Sequence, residues 1–254
     1  MLTLPEELLL LALDDRAGTD NLGVYLDRAL IAAALLDLIL QGRIVRREPG
    51  AYASESNHEN VYPRFDQNEY SYCVSPHATP TGRTYLDHVL ATIAKHPIAD
   101  QLHSFKTLTL VYVDRTNVLN PNIYSAPPDQ RLLAGQDLLA REQLVETESR
   151  FLFFRNTTLP QGNRTTGEGE LRNQLRQGLR NGFSQPDERL RALLLLIKST
   201  GLIAEVWGKE DFDAADWRVS QTLRLTMEPD SLLADAHRYI VSGIGEDDLA
   251  PLYR

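Results

Sequence analysis

Apolar residues along the chain fall into blocks whose spacing predicts a mainly α-helical protein. At the start, Thr3-Leu4-Pro5-Glu6 places a hydroxyl three residues ahead of a carboxylate, the pattern of a capping box. Pro5 lies in the first turn, where its missing N–H costs nothing. The helix opened there runs through a leucine block, residues 8–13, and ends near the turn-like DDRAGTDN. A second helix is predicted from about residue 25 to 40. Between 29 and 36 it is apolar on nearly every side, which describes a helix surrounded by others. Gly42, just past its end, suits a C-terminal cap.

From 48 to 81 the periodicity fades. Tyr, Asn, Ser, Pro and acidic residues alternate without a stable period, which predicts loops with room for a hairpin, and Cys73 falls among them. TPTGRTYLDHVLATIAKH, residues 79–96, restores a helix with Leu86, Val89, Leu90 and Ile93 on one face. TLTLVYV, residues 107–113, alternates as a strand does. PPDQRLLAGQDLLAREQLV reads as an amphipathic helix begun by prolines, with Asp129 as its cap. A hairpin is then expected: Leu144 and Val145, a polar turn at Glu146 to Ser149, and a Phe-rich strand in FLFFRNTTLP, broken by Arg-Asn-Thr-Thr-Leu-Pro. Four helices follow, at about 169–183, 186–206, 213–224 and 229–242, the second with the continuous apolar core of another buried helix. With no internal repeat or linker in view, one domain over 1–254 is the simplest organisation: a central helical bundle carrying a β-hairpin.

Composition narrows the possible partners. A formal charge of −9 argues against broad nucleic-acid binding, because phosphate neutralisation needs a basic surface. One cysteine excludes an intrachain disulfide framework and fits a reducing compartment. The leucine block is preceded by two glutamates where a secretory signal would carry positive charge. The most apolar stretch, residues 29–40, is too short to span a bilayer and contains Asp37. A cytoplasmic protein is expected, so the sequons at Asn156 and Asn163 are read as accidental.

No catalytic constellation emerges. The six histidines form no HExxH, and His88 and His96 lie two helical turns apart, too far to share a metal unaided. Cys73 has no evident activating neighbour. TTGEGELR lacks the third glycine and the preceding βαβ unit of a dinucleotide fingerprint. In IVSGIG the glycines follow Ser242, which is not a nucleophile elbow. The expectation is a non-enzyme with no cofactor and no metal.

Charge distribution says more. Residues 150–191 hold eight arginines against four acids, a positive window in an acidic chain. Arg172, Arg176 and Arg180 recur every four residues beside an apolar stripe of Leu171, Leu175 and Leu179, forming a basic helix face. An ordinary solvated face would look the same, but here the stripe follows the Phe-rich hairpin directly. Apolar surface flanked by arginine suits an interfacial membrane contact, where each basic residue near anionic lipid contributes about 1 kcal/mol. Aromatic and Arg side chains are equally enriched at protein interfaces.

Taken together, LTLPEELLLLALDDRAG, LLDLILQGRI, TPTG followed by LD, FLFFRNTTLP and RLRALLLLIKSTGLIAEVW resemble the Golgi phosphoprotein 3 family, in the same order over roughly residues 2–225. That resemblance implies a largely helical domain with a β-hairpin. It also implies a peripheral membrane adaptor that binds phosphatidylinositol 4-phosphate and the cytoplasmic tails of membrane proteins. It places Phe151, Leu152, Phe153 and Phe154 on a hairpin that dips into the bilayer or mediates self-association. The family's headgroup-binding Trp and Arg align with Leu22 and Ile31, and its basic pair with Pro128 and Arg131, so only Arg131 keeps its charge. A phosphomonoester headgroup needs several convergent donors, so one arginine is too few unless Arg16, Arg28 or the 172–180 stripe assists it. The chain starts at the family's opening motif without the basic tail of eukaryotic members, so a prokaryote-like member with an altered or lost headgroup pocket is expected. Its expected partners are anionic membrane lipid, membrane-protein tails and a second copy of itself. The alternative is a cytosolic interaction module that self-associates through the hairpin.

Overall fold

The computed structural model describes residues 1–13, 24–47, 71–95, 130–143, 145–147, 156–158, 167–183, 186–226 and 232–241. Among these, nine helices and two small antiparallel sheets are present: α1 (Leu4–Ala12), α2 (Val24–Leu40), β1 (Ile44–Arg47), β2 (Ser71–Val74), α3 (Thr84–Ala94), α4 (Gln130–Ala140), β3 (Val145–Thr147), β4 (Asn156–Thr158), α5 (Gly167–Asn181), α6 (Glu188–Ser199), α7 (Ile203–Trp207), α8 (Phe212–Thr226) and α9 (Leu232–Val241). The expected mainly helical class holds.

Three helices supply the centre. In α1, Leu4 and residues 8–12 are buried; in α2, every residue from 29 to 36 is; in α6, every residue from 192 to 197 is. Full burial of each leucine is worth about 1.5–3 kcal/mol, so the continuous apolar runs are what place these helices inside. α1 lies against α2, α4 and α6, and α2 also contacts α3, α4, α6 and α9. The outer helices follow from their one-sided patterns. α3 buries Leu86, Val89, Leu90 and Ile93 as its periodicity predicts, and α5 buries Leu171 and Leu175.

Local signals govern several boundaries. The Thr3 hydroxyl accepts the Glu6 N–H at 3.4 Å, and the Glu6 carboxylate accepts the Thr3 N–H at 2.6 Å, completing the capping box. Gly42 adopts φ +69 and closes α2 with a Schellman motif: its N–H reaches Ile39 O at 2.9 Å, and the Arg43 N–H reaches Leu38 O at 2.8 Å.

Three expectations need correction. The predicted helix at 186–206 is two helices, α6 and α7. Gly201 at φ +73 ends α6, with Gly201 N–H to Lys198 O at 3.1 Å and Leu202 N–H to Ile197 O at 3.0 Å. Apolar continuity through RLRALLLLIKSTGLIAEVW hides that break, because both helices bury into the same core. Cys73 sits in a strand rather than a loop, buried in β2 opposite Val45 of β1. The other hairpin also pairs differently from its expected form, with Val145 opposite Thr158, Glu146 opposite Thr157 and Thr147 opposite Asn156. Glu146 and Thr147 are therefore strand rather than turn. The Asn-Thr-Thr expected to break the Phe run is itself the returning strand. Val and Thr favour extended backbone, which outweighs the turn-like polarity of the segment. The expected strand at 107–113, the Asp129 cap, and Leu22 and Pro128 lie outside the described residues.

Candidate functional site

Arg131 stands in the first turn of α4, where that helix meets α2. Its Nε donates to Asp27 Oδ1 at 3.1 Å, and the two side chains are 33% and 44% exposed. A pair this exposed adds only about 0–1 kcal/mol to stability. Its electrostatic effect matters more, since a carboxylate in the first turn of α2 neutralises the guanidinium. One turn further along α2, Ile31 is 4% exposed and part of the core. Ile31, which the resemblance aligned with a headgroup-binding arginine, is thus apolar packing.

Pairing of β3 with β4 brings Thr147 and Asn156 opposite each other at the head of the hairpin. Phe151, Leu152, Phe153 and Phe154 fall between them in sequence, outside the described residues. α5 follows the hairpin, and its three arginines have different surroundings. Arg172 is 16% exposed; its Nε donates to Glu168 Oε1, and its Nη1 donates to the Glu205 carbonyl of α7 at 2.6 Å. That side chain fastens α5 to α7, as Arg218 Nη1 fastens α8 to the Leu179 carbonyl at 2.8 Å. Arg176 and Arg180 are exposed. The expected basic face therefore consists of two surface arginines and one drawn into packing.

A charged cluster surrounds the start of α1. Asp37, inside the apolar α2, accepts the Leu4 N–H at 2.6 Å and Gln41 Nε2 at 2.9 Å. Arg189 of α6 bridges α1 and α2, with Nη2 2.8 Å from Glu7 Oε2 and Nη1 3.6 Å from Asp37 Oδ2. It also donates to the Leu2 carbonyl at 2.6 Å. Burial pushes the Glu7 carboxyl up to about 7, outweighing the neighbouring Arg189, and Asp37 and Glu6 add to the rise. Burial also raises Glu6, against the opposing pull of its bond to Thr3. Sequence reasoning missed this cluster because its members lie far apart in the chain. The one local clue was Asp37 itself, a carboxylate in a leucine helix.

A second pair it missed is Ser199 Oγ with His237 Nδ1, at 3.0 Å. Burial lowers the His237 pKa, with Lys198 adding to the effect. Ser199 is itself buried, so its oxygen is not presented to a substrate. Among the described residues, no group of three or more His, Cys, Asp or Glu side chains converges as a metal site.

The family model for Golgi phosphoprotein 3 (GPP34) matches residues 4–243. The chain belongs to the Golgi phosphoprotein 3 family. The match begins at the first residue of α1 and extends past the end of α9, so every element described above lies within it. Among the described residues of this Golgi phosphoprotein 3 family member, no helix is long and apolar enough to cross a membrane. At the two positions that the resemblance aligned with a headgroup pocket, it carries a core isoleucine at 31 and an arginine at 131 paired with Asp27.

Proposed function

We propose that this Golgi phosphoprotein 3 family member is a non-enzymatic peripheral membrane protein that docks through its hairpin. The observation that carries this is the register of β3 and β4. It pairs the two flanks of the segment that contains Phe151, Leu152, Phe153 and Phe154, which supports reading that apolar segment as the contact. Burial of such a tip in the acyl region, with Arg176 and Arg180 near anionic headgroups, gives additive hydrophobic and electrostatic attraction. The core Ile31 and the Arg131–Asp27 pair favour a contact that does not depend on the family's phosphatidylinositol 4-phosphate pocket. Tails of membrane proteins are the natural cargo for an adaptor held in this way.

Sedimentation with vesicles tests this proposal. Binding is expected to vesicles containing anionic lipid at low salt, to weaken as salt rises, and to be lost in Phe153→Asp while the fold is retained. Absence of binding to anionic vesicles at low salt would overturn it. A concentration-dependent dimer that Phe153→Asp dissociates, in a protein that ignores vesicles, would assign the hairpin to self-association instead.

A further inference from the structure

A groove of about 730 Å³ opens between α1, α5 and α6, beside the residues that follow α4, a volume ordinary for a small-ligand site. It lies at the root of the hairpin. Gln143, just before β3, and Gly167, just after the segment that follows β4, both line it, and the Gly167 N–H donates to Gln143 Oε1 at 2.7 Å. A Cβ on residue 167 would come within 2.8 Å of that oxygen and 3.2 Å of Leu2 Cδ1, so glycine is what permits the closure. Leu171, Leu175, Leu190 and Leu193 make the groove's apolar wall.

Its charges are of both signs and only partly satisfied. Arg189 is occupied by Glu7, Asp37 and the Leu2 carbonyl. Arg141 is exposed and makes a single long hydrogen bond, Nη1 to the Met1 carbonyl at 3.3 Å. Glu170 is exposed, and Asp187 uses Oδ1 to cap α6 through the Leu190 N–H at 2.7 Å. Among the described residues, neither Arg141 nor Glu170 has an ion-pair partner. They face one cavity without bridging each other. Among the described residues, an exposed guanidinium, two exposed carboxylates and an apolar wall suit a ligand carrying one anion, one hydrogen-bonding cation and an apolar stem.

We propose that this groove takes the phosphoethanolamine headgroup of a membrane phospholipid, with the phosphodiester on Arg141 and the ammonium on Glu170 and Asp187. A phosphodiester carries a single negative charge, which one guanidinium can hold through two parallel hydrogen bonds. A primary ammonium offers three donors to the carboxylates, whereas the quaternary ammonium of phosphocholine offers none. The acidic rim disfavours headgroups that are anionic overall. The inference rests on membrane docking through the adjacent hairpin, which would bring the groove to the headgroup layer.

The test is calorimetric titration of the full chain with short-chain, water-soluble phosphatidylethanolamine, phosphatidylcholine and phosphatidylglycerol below their micelle concentrations. Phosphatidylethanolamine is expected to bind at least about tenfold more tightly than the other two, the scale of one charge-assisted hydrogen bond. Arg141→Gln should weaken all three lipids, and Glu170→Gln should abolish the preference over phosphatidylcholine. Both side chains are exposed, and unchanged thermal unfolding would confirm that the variants fold. No binding of phosphatidylethanolamine, equal binding of phosphatidylcholine, or a preference that survives Glu170→Gln would overturn the proposal. Vesicle binding without binding of the soluble lipid would sink the groove assignment alone. Binding of the soluble lipid without vesicle sedimentation would sink hairpin docking and leave the groove standing.

Discussion

Replacing Glu7 by Gln should stabilise the protein at alkaline pH and leave it almost unchanged in acid. Glu7 is 12% exposed, and its carboxyl is raised from the ordinary 4.5 to about 7, mainly by burial. A group whose folded pKa lies above its unfolded one contributes stability that is full below the unfolded value. That stability is lost as pH rises through the folded value. At about 1.4 kcal/mol per pKa unit, the wild type should lose about 3 kcal/mol between pH 4.5 and pH 8 through this residue. Glutamine keeps the shape and an acceptor for Arg189 but never ionises, so the variant should gain about that much above pH 8. The result runs against intuition, because the substitution breaks an ion pair only 2.8 Å long. Desolvation of the carboxylate outweighs the attraction, as it often does for buried pairs. Urea unfolding of both proteins from pH 5 to 9 measures the effect, and their difference isolates it from two other titrations. Glu6, also raised by burial, tilts both proteins the same way. His237, lowered by burial, adds stability that is lost as pH falls, in both proteins alike. A variant less stable than wild type at pH 8 would mean that the Arg189 pair outweighs burial, refuting the reasoning.

Two further substitutions test the backbone geometry. Gly178→Ala would normally stabilise a helix interior by about 1 kcal/mol. Here the new Cβ would lie 2.4 Å from Phe183 Cε1 and 2.6 Å from Cδ1, on a buried ring, so overpacking should reverse the sign for a net loss of about 1–2 kcal/mol. A raised melting temperature would show that the ring moves freely. Glu142→Gly should have the opposite effect. Glu142 holds φ +59 at the end of α4, where its N–H reaches Leu139 O at 3.0 Å and the Gln143 N–H reaches Leu138 O at 2.9 Å. Relief of the left-handed conformation, less glycine's entropy cost, should add about 0.5–1 kcal/mol in chemical denaturation.

What could be read from the chain was what depends on near neighbours. The capping box needs only Thr3 and Glu6, and the α2 terminus needs only Gly42. The central packing of α1, α2 and α6 follows from leucine-rich runs that leave no polar face. What could not be read depends on distant partners. β1 and β2 pair across an intervening stretch with no periodicity, so Cys73 looked like a loop residue. The arginine stripe on α5 looked uniform: Glu168, one turn before Arg172, was in view, but nothing near it in sequence reveals the Glu205 carbonyl that draws Arg172 inward. Gly201 was a visible signal, masked by apolar residues on both sides that satisfy a single long helix equally well. Asp27 lies far from Arg131 in the chain, so alignment alone could retain the arginine but not show it neutralised.

That neutralisation bears on where the proposed lipid contact would sit in this chain. A headgroup pocket between α2 and α4 would need converging cations, whereas residue 31 is a core isoleucine and Arg131 is paired with a carboxylate. Placing a cation at residue 31 would put an unpaired charge into the core, at a cost of several kcal/mol. Removing Asp27 would still leave a single guanidinium at residue 131, short of what a phosphomonoester requires. The two changes would have to occur together, and the first is opposed by packing. At the hairpin root the situation differs: Arg141 and Glu170 are exposed, face the same groove and are unbridged. A lipid contact there costs no core packing and only shallow desolvation. It is also tied through Gln143 and Gly167 to the segment proposed to enter the bilayer. The proposed lipid contact is therefore better accommodated at the base of the hairpin than between α2 and α4.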